Sequence, residues 1–264
     1  MRKKREIGVI CARICLIAGL LILWEILARK GMIQTFHTSY PSEITKDLYE
    51  FARSGDLWRH MSITLGEAFL GLLYGTVIGV VAGVLLSQFD VLGKVLHPII
   101  VAIYGIPQLA MAPVYILWFG IGWFPKIFLA ALMVFFNVFF ATYNALKNID
   151  QKLLESGVLL GASRLQLLWH VVLPASMPWI ISGIRMGAGI CMIGAIVGEY
   201  MGASGGFGWA VTQAASFFEI KRVMSCIVVL LILGMILNFL LDKMEKSVLK
   251  WRVQTDLSMK NTNR

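Results

Sequence analysis

Long runs in which nearly every position is apolar alternate along this chain with short runs where charged and turn-forming residues cluster. A bilayer core needs roughly 20 mostly apolar residues per helical crossing. Six runs of low charge meet that length, near 7–28, 63–87, 95–119, 126–146, 176–199 and 223–241. They are too long and too evenly apolar for barrel strands, and backbone groups in lipid must be satisfied within the segment, so helices are the only fit. The pattern predicts an all-α integral membrane protein with six transmembrane helices.

Composition agrees with the pattern. Hydrophobic residues make up 58% and charged residues 15%, and the mean hydropathy of +0.76 lies outside the range of soluble domains. The opening "MRKKREIGVICARICLIAGLLILWEILARKG" has the basic start and apolar core of a cleavable signal. No small-x-small cleavage site follows the core, however, and the run is long enough to span, so it reads as a retained anchor. With the N-terminus inside, segments 2–5, 88–94, 147–170 and the tail from Asp242 hold 14 Lys and Arg, against 8 in the outer segments. That bias places both termini in the cytoplasm. It also accounts for the net charge of +9 as a basic membrane-facing fringe, with no need for a nucleic-acid partner.

Some spans carry more than hydropathy. The second places Gly71, Gly75, Gly79 and Gly83 on one helical stripe that a neighbouring helix can approach closely, inside one bundle or at a subunit seam. The fifth has a looser series in Gly183, Gly187, Gly194 and Gly198. The third holds Pro98, Pro107 and Pro113, each of which removes a backbone donor. Broken helices in membranes occur where they are buried in protein or line a cavity, which makes Tyr104, Gln108 and Met111 candidate lining residues of a translocation path. A kinked packing helix is the alternative. Trp118 and Trp123 fit the outer aromatic belt.

Two of the charges within predicted spans need a reading, because an ionisable group at membrane depth is costly. Arg185, counted from a helix break at Pro174, lies near mid-depth, where it would attract an anionic substrate or be held as a structural bridge. Glu199 lies near the outer end and leads into "YMGASGGFGW", a glycine-rich turn where its carboxylate would be solvated or paired. Arg13 can snorkel to the headgroups. Cys11, Cys15, Cys191 and Cys226 lack CxxC spacing and read as small packing residues, and His37, His60, His97 and His170 have no partners at metal-ligand spacing. The chain also lacks a G-x-x-x-x-G-K-[ST] phosphate loop, a G-x-S-x-G elbow and an H-E-x-x-H pair, so ATP-driven chemistry would need another subunit.

The connection between the fourth and fifth spans is unusually organised. Asp150 is placed to N-cap a short helix through Leu153, Leu154, Glu155 and Val158, which Gly161 ends in a left-handed conformation. Ser163 and Gln166 have capping-box spacing for a second helix. Leu165, Leu168, Trp169 and Val172 give that helix an apolar stripe, and it is expected to stop near Pro174. Ser156 and Gly157 would leave room for another surface to come close.

These residues resemble a known pattern. Glu155-Ser156-Gly157, Gly161 four residues on, and Val171-x-Leu173-Pro174 are similar to the EAA loop of ABC importer permeases, with Ser156 and Gly157 in place of two alanines and Val171 in place of isoleucine. "PVYILWFGIGWFPKIFL", the loop itself and "VGEYMGASGGFGW" resemble the branch that imports nitrate, sulfonate, taurine and bicarbonate. Relatives on the same scaffold import thiamine precursors or riboflavin. The resemblance implies a type I importer fold with a permease domain over 60–244 and the coupling loop at 147–174. An N-terminal anchor and outer loop would precede it over 1–59, and a basic cytoplasmic tail would follow over 245–264. It also implies two permease copies forming the pathway and cytoplasmic ATPase subunits that use ATP and Mg and seat on the loop. An extracytoplasmic solute-binding protein would complete a system in the cell membrane. The chain itself would be non-catalytic and bind no cofactor. A self-sufficient secondary transporter is the competing class, with Arg185 and Glu199 as ion sites. It would be supported by inverted repeats, which are not evident.

Overall fold

Each long apolar run can satisfy its backbone only by closing on itself, and the chain does so throughout. The structure, a computed structural model, describes residues 2–33 and 38–249. His37 and the basic tail from residue 250 onward lie outside the described residues. The helices are α1 (Arg2–Arg29), α2 (Pro41–Ser54), α3 (Asp56–Gln88) and α4 (Asp90–Tyr104), then a 3-10 turn (Gln108–Met111) and α5 (Ala112–Phe119). They continue as α6 (Trp123–Lys147), α7 (Gln151–Leu159), α8 (Arg164–Leu167), a π turn (Leu168–Val172), α9 (Leu173–Gly202), α10 (Phe207–Ser216) and α11 (Ile220–Val248).

Five helical stretches are long and apolar enough to cross a membrane: Cys11–Arg29, Asp56–Gln88, Trp123–Lys147, Arg164–Gly202 and Ile220–Val248. The sixth span is broken, with α4 and the segment Gln108–Phe119 meeting at 78°. Pro107 sits at the bend, and Gln108 closes it. The Gln108 amide donates to the carbonyls of Ile103 and Ile106, each at 3.1 Å, and its oxygen accepts from the Tyr115 hydroxyl at 2.9 Å. The carbonyls freed by the break are thereby satisfied within the chain.

α6 is the axis of the bundle, with Ala130, Val134, Val138 and Phe139 fully buried. The ladder Gly71, Gly75, Gly79 and Gly83 faces it. A β-carbon at Gly71 would come 2.6 Å from that of Ala130, and one at Gly83 would come 2.7 Å from that of Thr142. On the other side, Gly187 and Gly194 of α9 lie against Val134 and Ala130. Without a hydrophobic force between helices in lipid, close backbone approach and dispersion hold such a sandwich together. In this chain the ladder is an internal packing stripe.

α9 corrects the expected stop at Pro174. Helix runs without interruption from Arg164 to Gly202, 39 residues, which is about 58 Å at 1.5 Å per residue. Leu168–Val172 widens to π geometry just before Pro174, which then falls in the first turn of α9, where a missing N–H is tolerated. Arg185 takes the structural alternative, as a bridge between helices. It pairs with Asp242, and at 2.8 Å with Glu245, both in the last two turns of α11.

The outer loop of the expected anchor segment contains α2, which begins with Pro41 at its first turn and buries Ile44, Asp47 and Phe51. Asp47 pairs at 3.0 Å with Arg222 of α11, whose guanidinium lies 4.1 Å from the centre of the Phe51 ring. α1 touches the rest through Glu25, which accepts from the Ser42 backbone at 3.0 Å. Cys11 and Cys15 are exposed on α1 and so do not pack as expected, whereas Cys191 and Cys226 are buried in the apolar clusters.

Candidate functional site

The capped connection folds into a small platform. The Asp150 carboxylate accepts from the Lys152 backbone at 3.0 Å and starts α7. α7 ends in a Schellman arrangement, in which Gly161 at φ +79° donates to Val158 at 2.9 Å and Ala162 donates to Gly157 at 3.0 Å. Ser163 and Gln166 then form a reciprocal capping box at the start of α8. Each bond satisfies an orphan group of a helix end, so both short helices hold their shape outside the bundle.

Gly157 corrects an expectation. It is buried, and a β-carbon there would run into Leu167 and approach Val171. Its smallness seats α7 on the π turn within this chain and leaves no space for an outside surface. Ser156 donates to the Lys152 carbonyl at 2.7 Å, and Leu154 packs with Leu168, Val172, Leu173 and Ile180, joining α7 to the start of α9. Pro174 is exposed on the same continuous helix. What faces outward is Glu155 with Val158, Leu159 and Leu160, the two leucines each 87% exposed. Sequence reasoning missed this apolar knob, although "VLLG" before a helix-ending glycine was its signal.

At the opposite end, Glu199 is 1% exposed and fully paired, which removes the solvated alternative. Its carboxylate accepts from the Thr64 hydroxyl at 2.7 Å and the Gly208 backbone at 2.6 Å. Thr64 in turn accepts from the Phe207 backbone at 2.9 Å, and His60 accepts from Gly206 at 3.0 Å. Gly206, at φ +98°, has no room for a β-carbon beside that carboxylate. Close by, Glu67 of α3 pairs with Lys126 of α6, both buried. This knot ties α3, α6, α9 and the start of α10 at one end of the bundle. Removing one partner of a buried ion pair is costly, because the other charge is left uncompensated. Among the described residues, no three His, Cys, Asp or Glu converge on a possible metal position.

Between these two ends runs a groove. A cavity of about 640 Å³ is lined by Tyr104, Asn137, Phe140, Asn144, Asn148 and Trp179, and a second of about 350 Å³ continues from Tyr104 and Asn137 to Gln108 and Ile190. Tyr104 and Gln108 thus lie on the groove, but the Gln108 amide is already committed to the helix break. Met111 does not line it and packs instead against Ala112, Tyr115 and Leu129. Sequence reasoning also missed Asn137 and Asn144, two turns apart on one face of α6, and Asn148, which caps its C-terminal end. Trp118 and Trp123 are exposed, beside a ring cluster of Phe119, Phe124 and Phe128.

A helical membrane bundle with a broken span on a groove and a capped helical platform joined to one spanning helix defines a permease, the membrane component of an ABC importer. The chain belongs to the family described as binding-protein-dependent transport system inner membrane component, whose sequence profile matches residues 75–250. It is 32% identical over 89% of its length to a permease of Bacillus subtilis assigned to aliphatic sulfonate transport, covering 85% of that protein. It is 30% identical over 88% of its length to a formylaminopyrimidine transport permease of Halalkalibacterium halodurans, covering 92% of it. The fold matches a chain of a methionine ABC transporter in an inward-facing conformation, with a TM-score of 0.66 at 23% identity. That match covers 75% of this chain and 98% of the other. The chain is thus a multi-pass membrane protein and a transport component of an importer.

Proposed function

We propose that two copies of this chain form the translocation pathway and that a cytoplasmic ATPase subunit, using ATP and Mg, docks on each α7 platform. Residues 60–244 make the permease domain. Residues 1–59 add an anchor and outer segment, and 245–264 form a basic tail on the cytoplasmic side with both termini. Glu155, Leu159 and Leu160 meet the ATPase, while Gly157, Gly161, Val171, Leu173 and Pro174 hold the platform on α9. An extracytoplasmic binding protein delivers the solute to the end carrying the Glu67–Lys126–Glu199 knot.

The observation that carries this reading is the pair of leucines, 87% exposed on a rigidly capped helix. An apolar knob of that kind, held outside the bundle by capping bonds, fits a protein partner better than water or lipid. The two relatives carry names of different solute chemistries, so the solute does not follow from the family. The experiment is co-purification in detergent from cells expressing the neighbouring transport genes. An ATPase subunit retained by the wild-type chain is expected. Its absence, with uptake that persists without ATP, would replace this reading by a self-sufficient transporter.

A further inference from the structure

We propose that the groove beside α6 takes an uncharged, planar one- or two-ring heterocycle bearing both hydrogen-bond donors and acceptors. This rests on the reading that the groove belongs to the pathway.

Three features of the lining point to that chemistry. The first is a stripe of amides. Asn137 and Asn144 stand two turns apart on one face of α6, about 10 Å at 1.5 Å per residue, and Asn148 caps its C-terminal end. Asn137 donates one N–H to Met133 at 2.9 Å and Asn148 donates one to Asn144 at 2.8 Å, so each retains its carbonyl oxygen and a second N–H. The Asn144 side chain bonds to nothing among the described residues. The stripe therefore offers donors and acceptors together, the match for a ring carrying amino and carbonyl or ring-nitrogen groups.

The second feature is the flanking aromatics. Tyr104, Phe140 and Trp179 line the same cavity, with Tyr104 and Phe140 edge to face at 5.2 Å between centroids. Exposed ring faces beside amides suit a flat solute that stacks and hydrogen-bonds at its rim.

The third is the lack of charge. Among the described residues, no Lys, Arg, His, Asp or Glu lines either cavity. The two cations next in sequence to groove residues are neutralised elsewhere. Arg185, one residue before Met186 of the groove, is held by Asp242 and Glu245 of α11. Lys147, one residue before Asn148, pairs with Asp90 at 2.7 Å. A bare anion in this groove would give up water without meeting a counter-charge, whereas a neutral ring would exchange water for amides and ring faces.

The test uses the assembled complex of this chain with its ATPase in lipid nanodiscs and radiolabelled cytosine as the neutral probe. Ethanesulfonate serves as the anionic probe. Saturable cytosine binding that excess ethanesulfonate does not displace is expected. Asn144→Leu should weaken it about tenfold, the factor that one lost hydrogen bond of ordinary net strength gives. Asn144→Gln should restore it, and Trp179→Ala should weaken it independently. Saturable binding of ethanesulfonate in place of cytosine, binding of neither, or cytosine binding indifferent to both Asn144→Leu and Trp179→Ala would overturn the proposal. Whether an ATPase is present in the preparation is read before any probe is added, so failure of the importer reading is scored separately.

Discussion

Leu160→Ser is the sharpest perturbation of the docking platform. The side chain is 87% exposed, so almost none of its burial energy is used within the chain. Fully burying a leucine stabilises by about 1.5–3 kcal/mol, which leaves about 1.3–2.6 kcal/mol for a partner's groove. Replacing it by serine should raise the Kd for the ATPase subunit by about tenfold to eightyfold, since ~1.4 kcal/mol is a factor of ten. The permease itself should be little affected, because Leu160 takes part in the end of α7 through its backbone only, and an exposed side-chain substitution changes stability by about 0.5 kcal/mol or less. The assay is titration of nanodisc-embedded permease with the ATPase subunit on a biosensor, alongside thermal unfolding of the same preparation. An unchanged Kd in a variant with unchanged unfolding would refute the claim that the knob is the contact. A lower unfolding temperature would show that Leu160 packs within the chain after all.

The other predictions probe the supports of that platform and of the bundle. Gly161→Pro forces φ near −65° where the chain adopts +79° and removes the N–H given to Val158, so ATP-coupled uptake should be abolished with membrane insertion intact; Gly161→Asn, which tolerates that conformation, should keep uptake. Glu155→Lys should also abolish uptake without changing insertion, and normal uptake by an assembled variant would remove Glu155 from the contact. Lys126→Met leaves Glu67 buried without its cation and should destabilise by about 3–5 kcal/mol, with part of the loss recovered by adding Glu67→Gln; thermal unfolding in detergent reads both. Gly75→Ala places a methyl 2.6 Å from the Val134 β-carbon and should cost about 1–3 kcal/mol, whereas Gly66→Ala, with nothing within 4 Å, should be neutral in the same assay.

The parts of the fold that are local in sequence were legible, and the parts assembled across helices were not. Asp150, Gly161 and the Ser163–Gln166 box act within a few residues, so capping rules place them directly. The glycine ladder was readable as a stripe, but its partner was not, because no periodicity in 71–83 names α6. Pro174 misled because its cost depends on the backbone around it, and the π turn before it makes room that residue identity does not announce. Glu67, Lys126 and Glu199 meet from three helices far apart in the chain. The sequence drew attention to Glu199 alone, as a carboxylate solvated or paired near a span end, and nothing local pointed to Glu67 or Lys126. α2 was passed over because its mixed polarity fails a membrane criterion, although Pro41 and the spacing of Ile44 and Phe51 mark a half-buried helix.

The positions of rigid and open elements constrain how a push on the platform can travel. α7 is fixed to the start of α9 through Leu154, Leu168, Val172 and Leu173, and α9 then runs unbroken to Gly202. Along the way it presents Trp179 and Met186 to the groove and Arg185 to α11. α6, by contrast, is gripped by glycine stripes from both sides, so α3 and α6 cannot slide past each other without collisions of well under van der Waals distance. α9 grips α6 in the same way through Gly183, Gly194 and Gly198, so a displacement of α7 must move α9, α6 and α3 as one packed unit. The groove lies along that unit, with the asparagines on α6 and at its C-terminal end and Trp179 on α9. The broken span at Pro107 offers a wall able to follow, because its 78° bend is closed by Gln108 side-chain bonds rather than by continuous helix. Gln108→Leu removes those bonds and leaves the carbonyl of Ile106 without its Gln108 donor, while that of Ile103 keeps the Ile106 backbone N–H at 3.1 Å. It should thus loosen the bend, raising ATP hydrolysis without solute while lowering uptake per ATP. Unchanged coupling in that variant would show that the bend does not follow α9.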